Sequence, residues 1–509
     1  MILENGLVRT LDPSLPVARS LAIAGDRLAG GIGTHERALA TPETVDLGGR
    51  CVLPGFTDAH VHFPTWSLAQ REVRLEQARS LDEALELVAG RAAAVPEGRW
   101  LRGFGWRDAD WREPPTKEAL DRVTGRTPTA LMAKDYHSLW LNSAALARAD
   151  GDLQVHGGVI EVDRRGEPTG LLREECAWHF RDAYAAPGDD ESVEAMRHGL
   201  KLAAARGVTC IHDKDGLRGA VRCWQRLRAE GRLTLRVWQS VPHEQVAQLG
   251  ELGLRGGFGD DLLRIGYLKA FMDGTLGSQT ARLLDGSGIE ITSREELEGI
   301  IRAGARAGFP VAVHAIGDRA NRDALDAFEA TRDAWRGLRP RIEHAQCLAP
   351  EDLPRFAGLG VAASVQFSHA PSDRDLAERF WPGRIEGAYA FASLLRSGAV
   401  LANGSDAPIE ELDPWAGICA GVLRTIDRRP AWHPEQAVTL EQALAATCLA
   451  PAWLSGDEQR RGRLLPGYLA DLVVLDRDPF ALAPGELPGI GVVATMVGGR
   501  WVHNPPPWG

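Results

Sequence analysis

The chain has 509 residues, of which 44% are hydrophobic and 25% charged, and its formal net charge is −11. This composition is typical of a globular protein with one large and one smaller domain. The acidic balance argues against nucleic acid as a partner, and no stretch approaches the roughly 20 apolar residues of a membrane-spanning helix. The seven cysteines are scattered without CxxC pairs. We therefore expect no disulfide framework, and a cytoplasmic location.

The two ends of the chain consist of short apolar segments separated by turns. The segments that we predict as strands are residues 7–11, 20–23, 470–475 and 491–497. Neither end has enough strands for a sheet of its own, and edge strands need partners. We therefore predict that residues 1–50 and 456–509 form one small composite β-sandwich domain.

The middle of the chain alternates apolar segments with helical patterns such as 294–307 and 319–334. Eight segments are predicted as strands, the first being the apolar run Cys51–Pro54 that leads to His60. The others are residues 207–213, 234–238, 263–269, 310–314, 341–344, 361–365 and 399–403. Eight such units predict an α/β fold, a (β/α)8 TIM barrel over residues 51–455, whose chemistry lies at the carboxyl ends of the strands.

One span of the barrel region, about residues 64–190, is too long for a single crossover. We predict that it forms an inserted subdomain after the first strand. It is rich in tryptophan (residues 66, 100, 106, 111, 140 and 178). These indoles could line an apolar substrate pocket, or they could pack the interior of the subdomain, which is the more ordinary role for tryptophan.

Ionisable residues lie at the ends of the predicted strands. His60 and His62 end the first strand, and their spacing of two places both on one face. The later strand ends carry Lys269, His314, His344 and Asp406. Imidazole and carboxylate ligands suit zinc and similar divalent ions. An ammonium has no lone pair, so Lys269 fits such a site only as a carbamate formed with CO2.

Each of these residues also has a purely structural explanation. A single histidine at a strand end is more often packed or solvated than bound to a metal. Lys269 could be an ion-pair partner, and Asp406 in Gly404-Ser405-Asp406 could be a turn former. Four histidines at matching strand ends are hard to explain by packing, so the combined pattern favours a metal centre.

Several motifs extend this pattern over nearly the whole chain. They are Asp58-Ala59-His60-Val61-His62, the segments 137–143, 268–281 and 314–321, Ile342-Glu343-His344-Ala345-Gln346, and Gly404-Ser405-Asp406. Together they resemble the amidohydrolase superfamily, and in particular its YtcJ-like branch, which includes N-substituted formamide deformylases. The resemblance implies a metal-dependent hydrolase that cleaves a C–N bond in a small amide, formamide or cyclic amide.

The resemblance also implies roles for the six strand-end residues. His60, His62 and Asp406 would bind one divalent ion, His314 and His344 a second, and a carbamylated Lys269 would bridge the two. Two zinc ions per chain are expected, although manganese, iron and cobalt also suit such ligands. Asp406 would serve as general base and then as general acid.

Further residues near these motifs are weaker candidates for binding the substrate. They are His137, Asp273, Gln279, Arg282, Asp318 and Arg319, and each has an equally ordinary structural alternative in a loop or at a helix start. His212 and Asp213, at the end of the second predicted barrel strand, could orient a metal ligand. The expected partner is a small-molecule substrate, and a homodimer is possible on general grounds.

Two other functions remain open at this stage. The same scaffold could carry a mononuclear deaminase or an ester or carbamate hydrolase. The chain could also be a non-catalytic binding protein, although its intact set of candidate ligands argues against that. Fold-level similarity does not identify the substrate.

Overall fold

A computed structural model describes residues 1–29, 43–96, 98–107, 111–134, 136–151, 153–215 and 219–508. All the candidate site residues lie within these ranges. The chain forms two compact units, one of Met1–Phe63 with Arg197–Gly509 and the other of Pro64–Met196.

The first unit contains a sheet of eight parallel strands in chain order. These strands are β1 Phe56–Val61, β2 Val208–Asp213, β3 Arg236–Pro242, β4 Leu263–Phe271, β5 Val311–Ala315, β6 Arg341–His344, β7 Ala362–Val365 and β8 Leu401–Asn403. The segment after β8 returns to β1, where the Asp406 N–H donates to the His60 carbonyl at 2.7 Å. Gly404 permits this approach, because a Cβ there would lie 2.3 Å from the His60 nitrogen. The predicted α/β barrel is confirmed.

The helices of the first unit follow the strands. Their bounds are Asp189–Ala205, which begins in the second unit, Ala220–Ala229, Val246–Glu251, Arg294–Ala307, Asp318–Ala330, Leu353–Leu359, His369–Phe380, Phe391–Arg396, Pro414–Leu423, Leu440–Leu444 and Ala450–Leu454. The prediction for 294–307 is confirmed; this helix begins with a capping box between Ser293 and Glu296. Within the described ranges, no helix has the length and apolarity needed to cross a lipid bilayer.

The predicted helix 319–334 ends earlier than its pattern indicates. The observed helix is Asp318–Ala330. Beyond it, the Thr331 hydroxyl donates to the Ala327 carbonyl at 2.7 Å, and the Trp335 indole donates to the Phe328 carbonyl at 3.0 Å. The Thr331 N–H still donates to the Ala327 carbonyl at 3.1 Å, so the indole of Trp335 satisfies the first carbonyl, that of Phe328, which a longer helix would have bonded through its backbone.

The apolar run before His60 belongs to a different sheet, so the prediction that it forms the first barrel strand is wrong. Cys51–Pro54 pairs in parallel with Leu7–Arg9 and antiparallel with Leu472–Leu475. Gly55 then separates this strand from β1. A Cβ at Gly55 would lie 2.2 Å from the Thr209 side chain, so only glycine permits the close passage into the barrel.

Strands near the chain ends form two sheets, and the larger of these combines strands from both ends. The six-stranded sheet contains, in order, Arg500–His503, Val492–Val497, Leu472–Leu475, Cys51–Pro54, Leu7–Arg9 and Val17–Ala18. The four-stranded sheet contains Arg27–Leu28, Leu21–Ala24, Ile2–Glu4 and Thr44–Asp46. Buried residues of both sheets, including Leu3, Leu21, Val52 and Val474, share one core. The domain boundaries at 50 and 456 remain a prediction.

The second unit has its own mixed sheet. Its strands, in order, are Gly158–Val162, Pro168–Glu174, Ser138–Leu141, Thr129–Ala133, Leu101–Trp106 and Val73–Arg74. Its helices are Leu81–Ala92, Lys117–Thr124, Ser143–Leu146 and Glu175–Ala183, and Phe63–Ala69 leads into it. The rings of Trp106, Trp111 and Trp140 lie 6.0–6.2 Å apart in a buried cluster. These three tryptophans therefore pack the interior of the unit.

Candidate metal centre

The carboxyl ends of the barrel strands bring four imidazoles together. The ring centroids of His60, in β1, and His62, which directly follows β1, lie 5.6 Å apart, as expected for alternate side chains that face one side. The His344 ring, at the end of β6, lies 4.7 Å from the His60 ring. It also lies 4.5 Å from the ring of His314 in β5. Residues distant in sequence therefore form one cluster at the mouth of the barrel.

Asp406 lies within this cluster. Its Oδ1 atom is 3.2 Å from Nε2 of His60 and 3.4 Å from Nε2 of His62, and its Oδ2 atom is 3.9 Å from Nδ1 of His344. One possible ligand atom from each of His60, His344 and Asp406 lies within 4.8 Å of the others. This convergence of imidazole and carboxylate donors fits a divalent cation such as zinc.

The ionisation of Asp406 also suits a cation. Burial raises the pKa of Asp406, but the charge of His60 and the hydrogen bonds from His60 and His62 outweigh burial. Together they hold that pKa well below its ordinary value. The residue is therefore a carboxylate rather than a carboxylic acid at neutral pH.

Each imidazole has one ring nitrogen bonded to an acceptor of the protein. The pairs are His60 Nδ1 with Glu343 at 2.8 Å, His62 Nδ1 with Asp215 at 2.9 Å, His344 Nδ1 with the Gln366 side-chain oxygen at 2.9 Å, and His314 Nε2 with the Gly274 carbonyl at 3.0 Å. These oxygens accept hydrogen bonds, so the nitrogens that face them carry the protons. In the neutral ring the opposite nitrogen then carries the lone pair that a metal needs.

Burial favours the neutral, ligating form of three of the histidines. It lowers the pKa of His60, lowers that of His314 to about 3 and lowers that of His344 well below the ordinary value. For His62, burial also lowers the pKa, but hydrogen bonds to Asp215 and Asp406 outweigh it and raise the pKa to about 9. A metal bound at His62 would therefore have to displace a proton.

Lys269, in β4, places an amine in the same region. It is only 6% exposed, and its Nζ atom has no hydrogen-bond partner among the described residues. Burial lowers its pKa to about 8. An unpartnered buried ammonium is costly, whereas a neutral amine can react with CO2. These properties fit a carbamylated lysine that ligates a metal.

The backbone is strained at two of the candidate ligands. His344 has a φ of +74° and Asp406 a φ of +57°, a region that non-glycine residues seldom occupy. Adjacent residues of a regular strand point to opposite faces. The turn at His344 breaks this alternation, because both Glu343 and His344 contact His60. Such strain typically accumulates at functional sites.

The sequence pattern that defines the Amidohydrolase family matches residues 43–503. The chain belongs to this family. Family membership makes it a hydrolase, and it confirms the resemblance inferred from the motifs.

Relatives of this amidohydrolase align over nearly their whole length. This chain is 32% identical to Protein LONG AFTER FAR-RED 3 of Arabidopsis thaliana, and the alignment covers 99% of this chain and 91% of the relative. This chain is 31% identical to the putative amidohydrolase YtcJ of Bacillus subtilis, and the alignment covers 94% of this chain and 95% of the relative. It is 29% identical to the N-substituted formamide deformylase of Arthrobacter pascens, covering 98% and 97%.

A solved structure of similar fold is described as an uncharacterized metal-dependent hydrolase from Pyrococcus horikoshii OT3. It shares 29% identity with the amidohydrolase described here, with a TM-score of 0.82, over 95% of this chain and 99% of that one.

Several residues that contact the amidohydrolase's candidate ligands, or the partner of such a ligand, are absent from the sequence-based prediction of the site. They are Asp58, Lys214, Asp215, Glu343 and Gln366. Asp58 accepts hydrogen bonds from the backbone N–H groups of His60 at 3.1 Å and Ser405 at 3.0 Å, and so ties β1 to the segment after β8. The sequence signal that could have identified these five residues is their position, because each lies in a barrel strand or close to the end of one.

The two residues predicted to orient a ligand have other partners. His212 Nδ1 lies 3.1 Å from an Arg341 nitrogen. The Asp213 carboxylate accepts from the Trp224 indole at 2.8 Å and from the backbone N–H groups of Phe63 and Asp215 at 3.1 and 3.2 Å. Asp213 therefore holds the ends of β1 and β2 together.

Asp273 anchors the loop that follows β4. Its carboxylate accepts from the backbone N–H groups of Gly317, Arg282 and Ile316 at 2.8, 2.9 and 3.0 Å, and burial raises its pKa to about 7. Its Oδ1 atom also lies 3.7 Å from His314 Nε2. The loop therefore depends on Asp273 for its position beside a candidate ligand.

The other tentative substrate-binding residues have structural partners or are exposed. Arg282 pairs with Glu290 and, at 3.0 Å, with Asp323, which also pairs with Arg319 at 2.9 Å. Asp318 accepts from Arg384 at 2.8 Å. In the second unit, His137 bonds Glu174 at 2.6 Å, and its ring lies 5.2 Å from that of Trp178. Gln279 is exposed. That these residues bind the substrate remains a prediction.

Proposed function

We propose that this amidohydrolase is a metal-dependent enzyme that hydrolyses a C–N bond in a small amide, formamide or cyclic amide. The observation that carries the proposal is the cluster of His60, His344 and Asp406, whose ligand atoms lie within 4.8 Å of one another at the mouth of the barrel. The similarity to an N-substituted formamide deformylase supports a formamide or related amide as substrate.

The six strand-end residues would hold two divalent ions, which we propose to be zinc. These residues are His60, His62, Lys269, His314, His344 and Asp406. When bound, such ions lower the pKa of water from about 16 to about 7 and polarise the substrate carbonyl. The buried, unpartnered Lys269 amine supports a bridging carbamate, formed by adding CO2 to the neutral amine with loss of one proton.

We propose that Asp406 transfers the proton from the attacking water to the leaving nitrogen. Its ionised carboxylate would take a proton from the attacking water, giving the hydroxide that adds to the carbonyl carbon. It would then give that proton to the nitrogen as the C–N bond breaks, so that one amide and one water yield one carboxylic acid and one amine. General acid–base catalysis of this kind contributes about 10²- to 10⁴-fold.

A mononuclear site is the second candidate. The tight group of His60, His344 and Asp406 could hold one ion by itself. A single ion would favour a deaminase or an ester or carbamate hydrolase on the same scaffold. The metal content per chain distinguishes the two, because the bridged site needs two equivalents.

The test of the function is a hydrolysis screen of N-formyl, N-acyl and cyclic amides with zinc-loaded protein. Asp406→Asn is the informative variant. Asp333→Asn is the matched control, because the Asp333 side chain is 73% exposed. We expect at least one amide to be turned over by the wild type and the control but not by Asp406→Asn. Turnover that is equal in all three proteins would contradict the role of Asp406.

We also propose that the partner is a small-molecule substrate and not a nucleic acid. The protein would be a homodimer and would be located in the cytoplasm. No disulfide joins the seven cysteines, all of which are buried, and this supports a reducing compartment.

A further inference from the structure

Glu343 is a fully buried carboxylate that contacts a candidate ligand on one side and two cations on the other. Its Oε2 atom accepts from His60 Nδ1 at 2.8 Å. Its Oε1 atom accepts from Lys214 Nζ at 2.8 Å and lies 2.8 Å from Arg341 Nε. All of these side chains are at most 1% exposed.

The bond to Glu343 determines which nitrogen of His60 is available. A carboxylate can only accept, so His60 Nδ1 carries a proton, and Nε2 is the nitrogen left to present a lone pair to a bound ion. That Nε2 atom lies 3.2 Å from Asp406 Oδ1, within the candidate metal centre. If the proton moved to Nε2, this histidine could no longer act as a ligand there.

The two cations are themselves held in place inside the barrel. The Arg341 guanidinium lies 4.3 Å from the centre of the Tyr267 ring, and the Lys214 ammonium lies 5.7 Å from it. Arg341 also donates to the carbonyl of Ala59, the residue before His60, at 3.1 Å. Arg341 therefore contacts both the carboxylate and the backbone next to the ligand that this carboxylate orients.

We propose that Glu343 is a positioning residue of the metal centre, which holds His60 in its Nδ1-protonated form and is itself held by Lys214 and Arg341. The inference rests on the proposed function for the presence of a metal. Replacing a well-packed buried ion cluster with apolar residues is often neutral or stabilising, so stability alone is a weak reason for this cluster to exist.

The test is the zinc affinity of Glu343→Gln, measured by competition with a chelator. Glutamine preserves the shape of the side chain but removes the charge. We expect zinc affinity to fall about 10- to 100-fold, which is typical of a lost partner of a metal ligand. Glu458→Gln is the control, because Glu458 is likewise paired with an arginine, Arg339, at 2.7 and 2.8 Å. Affinity within twofold of wild type in folded Glu343→Gln would overturn the proposal.

Lys214→Met tests whether the cation acts through Glu343. We expect this substitution to weaken zinc binding when Glu343 is present, and to change it less than twofold in Glu343→Gln. The absorption spectrum of the cobalt-substituted protein gives a second measure, because it responds to the ligand field at His60. An equal loss of affinity in both backgrounds would overturn the coupling.

The wild-type protein provides a measurement that does not depend on a variant folding. In metal-free protein with ¹⁵N-labelled histidine, proton–nitrogen correlation spectra distinguish the two forms of His60. A proton on Nδ1 supports the proposal, whether or not Nε2 also carries one beside Asp406, and an unprotonated Nδ1 overturns it. Failure of wild-type protein to bind zinc would instead contradict the proposed function, and the spectra would still test the contact between His60 and Glu343.

Discussion

Asp406 Oδ1 lies 3.2 Å from His60 Nε2, and the Asp406 N–H donates to the His60 carbonyl at 2.7 Å. The two residues belong to opposite ends of the eight-stranded sheet, since β1 and β8 are its terminal strands. One pair of residues therefore closes the barrel through its backbone and joins the candidate ligands through its side chains. The centre depends on the closed sheet, and a bound ion should in turn favour closure.

Metal removal should therefore lower the stability of the protein. A ligand that binds only the folded state at 100 times its Kd adds about 2.7 kcal/mol to the free energy of unfolding. We expect urea unfolding of chelator-treated protein to have a lower midpoint than that of zinc-loaded protein. His60→Ala should abolish this difference. Equal midpoints with and without zinc would show that no ion bridges the two ends of the sheet.

Lys269 should carry the mass of one added CO2 in the intact, metal-loaded protein. Lys269→Met retains the length of the side chain but cannot form a carbamate, so it should lack this mass and bind less metal. Lys201→Met, in an exposed position on the helix Asp189–Ala205, is the control and should match the wild type. An unmodified Lys269 in native mass spectra, together with a full metal complement, would contradict the bridging role.

The sequence predicts most of the fold because local patterns determine it. Each of the eight predicted strands corresponds to an observed barrel strand, except that Cys51–Pro54 lies before β1 in another sheet. That distinction depends on the close passage of Gly55 beside Thr209, which is a tertiary contact. Apolar content alone does not indicate which of two sheets a strand will join.

The candidate ligands are also foreseeable, because their residue types recur at strand ends. Glu343 is harder to foresee. In a regular strand Glu343 and His344 would face opposite sides, and the φ of +74° at His344 that brings both against His60 has no local sequence signal. Lys214 and Arg341 become recognisable as its partners only when β2 and β6 are folded.

Asp273 should affect stability rather than substrate binding alone. Asp273→Asn replaces one acceptor oxygen with a donor facing backbone N–H groups, so about 1–3 kcal/mol should be lost from the free energy of unfolding. Urea unfolding measures this loss, with the exposed Asp333→Asn as control. A raised KM with unchanged stability would instead assign Asp273 to the substrate.

The buried pair of Arg236 and Asp471 should make stability fall in acid. The two oxygens of Asp471 accept from Arg236 at 2.6 and 2.9 Å. Burial raises the pKa of Asp471, but the Arg236 charge and hydrogen bonds outweigh it and lower that pKa below its ordinary value. The stabilisation is therefore complete above the unfolded-state pKa of about 4 and is lost as pH falls through the lower folded-state pKa.

Asp471→Asn isolates this effect. At pH 7 it should reduce the free energy of unfolding by about 3–5 kcal/mol, because it leaves a buried guanidinium without its anion. The difference from wild type should shrink as pH is lowered below about 4. Urea unfolding at a series of pH values measures it, and a difference that is constant down to pH 2 would refute the assignment.

The central claim is that a divalent ion held by the strand-end residues is needed for C–N bond hydrolysis. Its most direct test is the rate of amine release from N-substituted formamides by one preparation, measured after chelation and again after zinc is restored. We predict no release by the chelated protein, recovery with zinc in the wild type, and no recovery in His344→Ala. Equal rates before and after chelation would contradict the claim.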